Sequence, residues 1–550
     1  MSTKKNDTGF LVQGSILAIA SIVSRVVGLL YRLPLVRIIG KSGNDYYGTA
    51  FEIYSIMLII SAYSIPLAVS KLVAAKVSAG EFKNVNKILK GSLLFASVTG
   101  GTASLVVFFG ADFFCGELLR TPFANIALRV LAPVIFMVAI VGVLRGFFQG
   151  MGTMMPSALS QIAEQIINAV VSVVAAYFLF DVGMKMGGVL GHKEQMAAAY
   201  GAAGGTWGTF AGAATALAFM VFVYAIFKRS FDKKIRRDKS TGDESYKTIM
   251  WTLFVTIVPV LLSTTLYNIS AIINTGMFKQ IANAQGYAPK DISEWWGVFT
   301  GQYRVIINVP VSIASAMAAS SVPALTAAFR NKEHEMVKFQ ITSATRFVMI
   351  IAFPCMIGVA VLAGPIMQLL FGDSDPTSAY MLMVGCSSIV FYSLSTLSNG
   401  ILQGIDKMKI PVIHAAVALV IQAVFLVLCM YGFKLNIFAV VLANTFYALI
   451  MCILNEYSIQ KYSGTKLDLI GVFAKPFVAS LIMGGFCLAA YYITLNVSKN
   501  NAIACVISII ISVPVYFFFL LFIKGIGSNE LSRLPKGDKL VAIAKRFKLL

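Results

Sequence analysis

The first long apolar run of the chain carries Gly14, Ser21, Arg25, Gly28 and Arg32, at intervals of seven, four, three and four residues. On a helix these spacings fall along one stripe. The small residues let a neighbour come close, and the arginines present planar forks of donors suited to an anion. Arg25 and Arg32 stand about 10.5 Å apart along a helix axis, and Arg25 lies about 22 Å beyond Phe10. Arg32 can snorkel to the far headgroups, whereas Arg25 is too deep to do so easily. A third arginine, Arg304 in "GQYRVIINVP", follows the pair Trp295-Trp296, a residue type that favours the membrane interface. It lies about 12 Å further along its helix. Cations at such depth are costly in hydrocarbon, and an anionic cargo is a reason to keep them.

A second polar stripe runs through Gln161, Glu164, Gln165 and Asn168. Glu164 has three readings: a partner for an arginine, a group that couples to an ion, or a hydrogen bond between helices. Asn274 and Asn444 read as packing polar groups. Seven cysteines are scattered singly and three histidines lie far apart. None has the spacing of a metal site, and the cysteines read as small apolar residues. No phosphate-binding GxxxxGK[ST] loop, nucleophile elbow or HExxH motif is present, so nothing in the chain argues for an enzyme.

The elements that must carry these residues are set by composition. The chain has 550 residues, is 58% hydrophobic and only 13% charged, about half the charge of a soluble protein. Runs long enough to cross a bilayer recur from end to end. We read fourteen candidate spans, near 10–32, 46–70, 88–110, 123–147, 157–181, 202–227, 248–276, 296–325, 339–365, 378–404, 411–432, 435–458, 470–495 and 501–523. The fold class is therefore an all-α polytopic membrane protein. Lys4 and Lys5 precede the first run as in a signal peptide, but that run continues to Tyr31 and reads as a retained span.

The net charge of +21 is not a nucleic-acid signature, because the basic residues sit in short loops on alternate sides. One side holds roughly 31 Lys and Arg against roughly 9 on the other, which places both termini in the cytoplasm. The tail "KGDKLVAIAKRFKLL" spaces Leu540, Ile543, Ala544 and Phe547 as a basic amphipathic helix. Such a helix suits the anionic inner leaflet.

"FQGMGTMMPSALSQ" from Phe148 and "LQGIDKMKIPVIHA" from Leu402 share Gln-Gly and a following Pro, 254 residues apart. Ile65-Pro66 and Val322-Pro323 repeat at an offset of 257. Two markers at nearly one offset predict two six-helix lobes related by an internal repeat, plus two C-terminal helices. The expected parts are an N-lobe at 1–230, a basic cytoplasmic linker at 231–247, a C-lobe at 248–460, two further spans in 461–523 and the tail at 524–550. Repeat-built transporters hold substrate between repeats, near the midplane.

The stretches "SRVVGLLYRLPLVRIIG", "SIPLAVSKLVAAK", "RGFFQGMGTMMPSALSQIAEQI" and "NGILQGIDKMKIPVI" resemble the MurJ/SpoVB branch of the multidrug/oligosaccharidyl-lipid/polysaccharide exporter superfamily. The likeness covers nearly the whole chain and is closest to the Gram-positive subgroup. It implies a bacterial cell-membrane flippase that moves an undecaprenyl-pyrophosphate-linked sugar, chiefly lipid II, from the inner to the outer leaflet by alternating access. It further implies cavity arginines for the pyrophosphate and coupling to the membrane potential, Na+ or H+, with no bound cofactor. Cell-wall synthesis proteins are the partners it suggests. By residue, Arg25 matches the family's first arginine, Arg32 and Arg304 each fall about one place from theirs, and Asp45 matches an acidic residue. The arginine of the second span is missing, and "FEIYSIMLIISAY" holds Glu52 instead. The rival readings are a flippase for another lipid-linked polysaccharide unit, a multidrug antiporter of the same superfamily, and a membrane scaffold.

Overall fold

Hydrocarbon offers no partner to an exposed N–H or C=O, so apolar runs of this length satisfy their backbone as helices. The computed structural model describes residues 3–63, 65–238 and 245–525, and every regular element among them is helical. The chain divides into two compact units, Met1–Gly301 and Gln302–Leu550.

The first unit holds α1 (Thr3–Leu58), α2 (Ile65–Ser78), α3 (Phe82–Asp112), α4 (Asn125–Gly150), α5 (Met155–Leu190), α6 (Lys193–Arg237), α7 (Tyr246–Ala284) and α8 (Pro289–Val298). The second holds α9 (Arg304–Arg330), α10 (His334–Val361), α11 (Ala363–Phe371), α12 (Pro376–Gly385), α13 (Ser388–Gly404), α14 (Lys409–Gly432), α15 (Asn436–Ser463), α16 (Lys475–Ser498) and α17 (Asn501–Phe522).

Eleven described helices are long and apolar enough to cross a membrane, or twelve when α12 and α13, bent by 43°, count as one span. The sequence had suggested fourteen. One of the eleven, Val26–Ser78, is 53 residues long, about 80 Å at 1.5 Å per residue. That exceeds any single crossing, and the helix breaks at Gly40 (φ 70°, ψ −175°). The break lies between the expected spans at 10–32 and 46–70. In α7, which covers the expected span at 248–276, the side chains of 258–269 lie outside the described residues.

The boundary between units also differs from the expected lobes. α6 runs on to Arg237, so part of the expected linker is helix. α7 and α8, assigned by the repeat to the second lobe, belong to the first unit. The reason is close packing. A Cβ on Gly297 of α8 would stand 1.8 Å from the Lys41 carbonyl oxygen, so only glycine lets these backbones meet. Trp296 is buried and stacks on Phe278 of α7, with centroids 5.3 Å apart. Within the same unit α5 and α6 form another glycine seam, where a Cβ on Gly208 would lie 2.0 Å from Ser172 Oγ. Small-residue contacts of this kind are how helices associate when lipid is as apolar as their side chains.

In the second unit α16 and α17 pack against α10, and Tyr516 donates a 2.8 Å hydrogen bond to the Ile350 carbonyl. Phe109, Val170, Phe178, Phe222 and Ile226 stand exposed, as a lipid-facing surface requires. The expected tail at 524–550 lies outside the described residues from 526 onward.

Candidate functional site

The two polar stripes read from the sequence meet. Gly28 of α1 faces α5, where an added Cβ would stand 3.8 Å from Gln165 Oε1. Ser24 Oγ lies 3.5 Å from the Gln161 carbonyl. Arg25 is on the same helix, with its side chain outside the described residues. Arg32, two turns on, is half-buried. Its guanidinium carbon sits 4.8 Å over the ring of Tyr47, and its buried Nε has no hydrogen-bond partner. Tyr47 in turn stacks on Phe51 at 4.8 Å. A guanidinium held by an aromatic face keeps its donors for another ligand.

Glu164 on α5 is paired. Arg145 of α4 donates from Nη2 to Glu164 Oε2 at 2.8 Å and from Nε to Ser160 Oγ at 2.8 Å. Sequence reading named the carboxylate and missed this arginine, although "RGFFQG" carries it only 19 residues upstream. Glu52 accepts a hydrogen bond from Thr275 of α7. Asn274 beside it is 6% exposed, and its Oδ1 has no partner.

Asp45 is almost fully buried and forms an ion pair with Lys279 of α7, which lies just beyond the expected span at 248–276. The Lys279 ammonium also donates to Thr121 Oγ1 and, at 3.0 Å, to Thr49 Oγ1. Its three N–H donors therefore all have acceptors. The pair ties the segment after Gly40 to α7 and to the turn before α4.

Asp45 and Lys279 form the floor of a cleft of about 370 Å³. Its walls are the segment after Gly40, the turn before α4, the α5–α6 turn and the α7–α8 junction. At the rim Lys290 donates a 2.9 Å hydrogen bond to Glu194, both exposed. That bond holds the Glu194 carboxyl below its ordinary value of 4.5 and the Lys290 ammonium above its own. A carboxyl with a depressed folded pKa adds stability above its ordinary value and loses it as pH falls through the folded one. Lys290 adds its share below 10.5 and loses it as pH rises through its raised value. The Glu194 carboxyl should therefore titrate below 4.5 by NMR, and Lys290→Met should return it toward 4.5. An unchanged midpoint would remove the pair from the rim.

Arg304 opens α9 in the second unit and is exposed. That unit has its own polar cluster, found by no sequence motif. His414 Nδ1 lies 2.7 Å from Asn455 Oδ1. Asn455 Nδ2 donates to Ser398 Oγ at 2.9 Å and Asn399 Oδ1 at 2.8 Å. These bonds orient the amide so that its Oδ1 faces Nδ1, and Nε2 lies 3.3 Å from Ser458 Oγ. The cluster joins α13, α14 and α15. Among the described residues no group of three metal-ligating side chains is found.

Comparison with known proteins agrees with this architecture. A family model described as "Polysaccharide biosynthesis protein" matches residues 11–329, and one described as "Lipid II flippase MurJ" matches residues 301–520. The "Lipid II flippase MurJ" of Bacillus subtilis (strain 168) is 26% identical over 75% of this chain and 76% of its own length. "Stage V sporulation protein B" of the same organism is 23% identical over 97% of this chain and 99% of its own. A solved MurJ in an inward closed conformation superposes with a TM-score of 0.65 at 16% identity, covering 92% of this chain and 97% of that one. An inward-facing multidrug-resistance MATE transporter gives 0.63 at 17% identity, over 80% of this chain and 96% of that one. These two share the fold. With one family model spanning more than half of its length, the chain belongs to the polysaccharide biosynthesis protein family.

Proposed function

We propose that this protein is a flippase that carries a lipid-linked cell-wall precursor, most directly lipid II, from the inner to the outer leaflet. The observation that carries the reading is Arg32, a guanidinium on a membrane helix with an unpartnered buried Nε and an aromatic face beneath it. A pyrophosphate offers the anionic oxygens that this fork lacks. The relative named as a lipid II flippase supports the same cargo class. The lipid tail stays in the bilayer while the headgroup crosses along the polar stripes of α1 and α5. No bond is made or broken, and the membrane potential or a Na+ or H+ gradient supplies the drive. Both termini face the cytoplasm in this reading, which the distribution of Lys and Arg supports.

The MATE-like fold keeps one rival in view, export of cationic drugs. Such a cargo calls for free carboxylates, whereas in the first unit the stripe and cleft carboxylates Asp45, Glu52 and Glu164 are each engaged by a protein donor. Proteoliposomes loaded with fluorescent lipid II in one leaflet decide between the two. We expect exposure in the opposite leaflet to be faster than in protein-free vesicles. Proton- or sodium-driven movement of a cationic dye with no effect on lipid II would overturn the reading.

A further inference from the structure

We propose that the cleft above the Asp45–Lys279 pair is a binding site for an anionic saccharide, a sugar ring bearing a carboxylate or a phosphate. The proposal rests on the flippase reading for the sugar and on the cleft's own residues for the charge. Four turns build the cleft, and the alternation of spans puts all four at one end of the first unit. That end is opposite the α2–α3 turn, which is flanked by Lys71, Lys76, Lys83, Lys87 and Lys90. The less basic end is the outer one, where a translocated headgroup leaves.

The charges in the cleft do not cancel. Asp45 is taken by Lys279 and Glu194 by Lys290. The lining cations Arg120 and Lys193 are left with no acid of the cleft to pair with. Arg120 does approach Glu117, but at 3.8 Å and with both side chains more than half exposed. An exposed pair of that kind holds weakly and yields to a better anion. The fork of Arg120 suits a carboxylate or phosphate, and Lys193 adds a second point charge.

The wall is aromatic. The Phe123 ring stands 5.9 Å from that of Tyr46 and 6.4 Å from that of His192, centroid to centroid. Rings supply large flat contact area, while a few placed polar groups fix orientation in small-molecule sites. Gln195 supplies such a group here. A free inorganic anion would make no use of the wall, and an apolar ligand would leave the cations unpaired. The volume of about 370 Å³ falls within the range of small-ligand sites.

The test uses the full chain in nanodiscs without any lipid-linked precursor. Four probes are compared: N-acetylmuramic acid, N-acetylglucosamine 1-phosphate, neutral N-acetylglucosamine and inorganic phosphate. At least one anionic sugar should bind about tenfold more tightly than the neutral sugar, the equivalent of one good charge contact, and more tightly than phosphate. The tighter of the two anionic sugars identifies the acid group recognised. Binding should weaken as salt is raised, and Arg120→Gln with Lys193→Gln should remove the preference for charge. Equal binding of the neutral sugar, or an unchanged preference in the double variant, overturns the proposal. The salt series on the unaltered protein keeps it falsifiable even if the variant folds poorly. A chain that shows charge-dependent binding but flips nothing keeps the cleft and loses the flippase reading. A chain that flips lipid II without such binding loses the cleft alone.

Discussion

Arg32→Ala is expected to cut transport of a lipid-linked pyrophosphate by about thirtyfold or more while membrane insertion stays normal. Truncating one partner of a desolvated, hydrogen-bonded charge pair costs about 2–5 kcal/mol, and each 1.4 kcal/mol is about tenfold. The guanidinium has no protein carboxylate to lose among the described residues. Its removal therefore strands no buried acid, and the effect on stability is confined to the contact with Tyr47. Such cation–π contacts contribute about 0.5–2 kcal/mol. Arg32→Lys keeps the charge over the ring and loses the planar fork, so it should retain part of the activity. The measurement is leaflet exposure of lipid II at matched protein levels. Normal transport by Arg32→Ala would mean that the arginine only anchors α1 to the headgroups. An Arg32→Lys variant as inactive as Arg32→Ala would show that geometry, and not charge alone, is recognised.

What the sequence made legible follows from the range of the interactions involved. Apolar runs are local, so the helices that carry the stripes of α1 and α5 lie where the runs lie. Arg145 and Glu164 are 19 residues apart across the short turn between α4 and α5, within one continuous stretch of sequence. Lys279 was not legible. It closes an apolar run, where a lysine ordinarily marks a loop, and its partner Asp45 is 234 residues away. Only the packing of α7 on the segment after Gly40 brings the two together. The same holds for His414 and Asn455, which meet across α14 and α15 and left no spacing to read. The repeat predicted which helices correspond, and correspondence is not packing. α7 and α8 belong by repeat to the second lobe and by contact to the first unit, because Gly297 and the Asp45–Lys279 pair hold them there.

That pair is the place where a single substitution should do most damage to the fold. Lys279→Met leaves Asp45 buried at 2% side-chain exposure with no counter-charge. Breaking a buried pair from one side costs about 3–5 kcal/mol, because the remaining charge must be desolvated alone or take up a proton. Asp45→Leu strands the ammonium in the same way, although Thr49 and Thr121 still accept from it. Replacing both residues removes both desolvation costs, and apolar pairs of similar volume often match or exceed the ion pair they replace. The double variant should therefore unfold at a higher temperature than either single variant and close to the unaltered protein. The four proteins form a cycle, read as apparent melting temperatures in one detergent, and the coupling should favour the double replacement. If the two single effects simply add, Asp45 and Lys279 do not act as a pair. If each single change is mild, water reaches the pair from the cleft above it and screens the charge left behind. The expected order places each single variant well below both other proteins, because the Lys279 and Asp45 side chains are only 1% and 2% exposed.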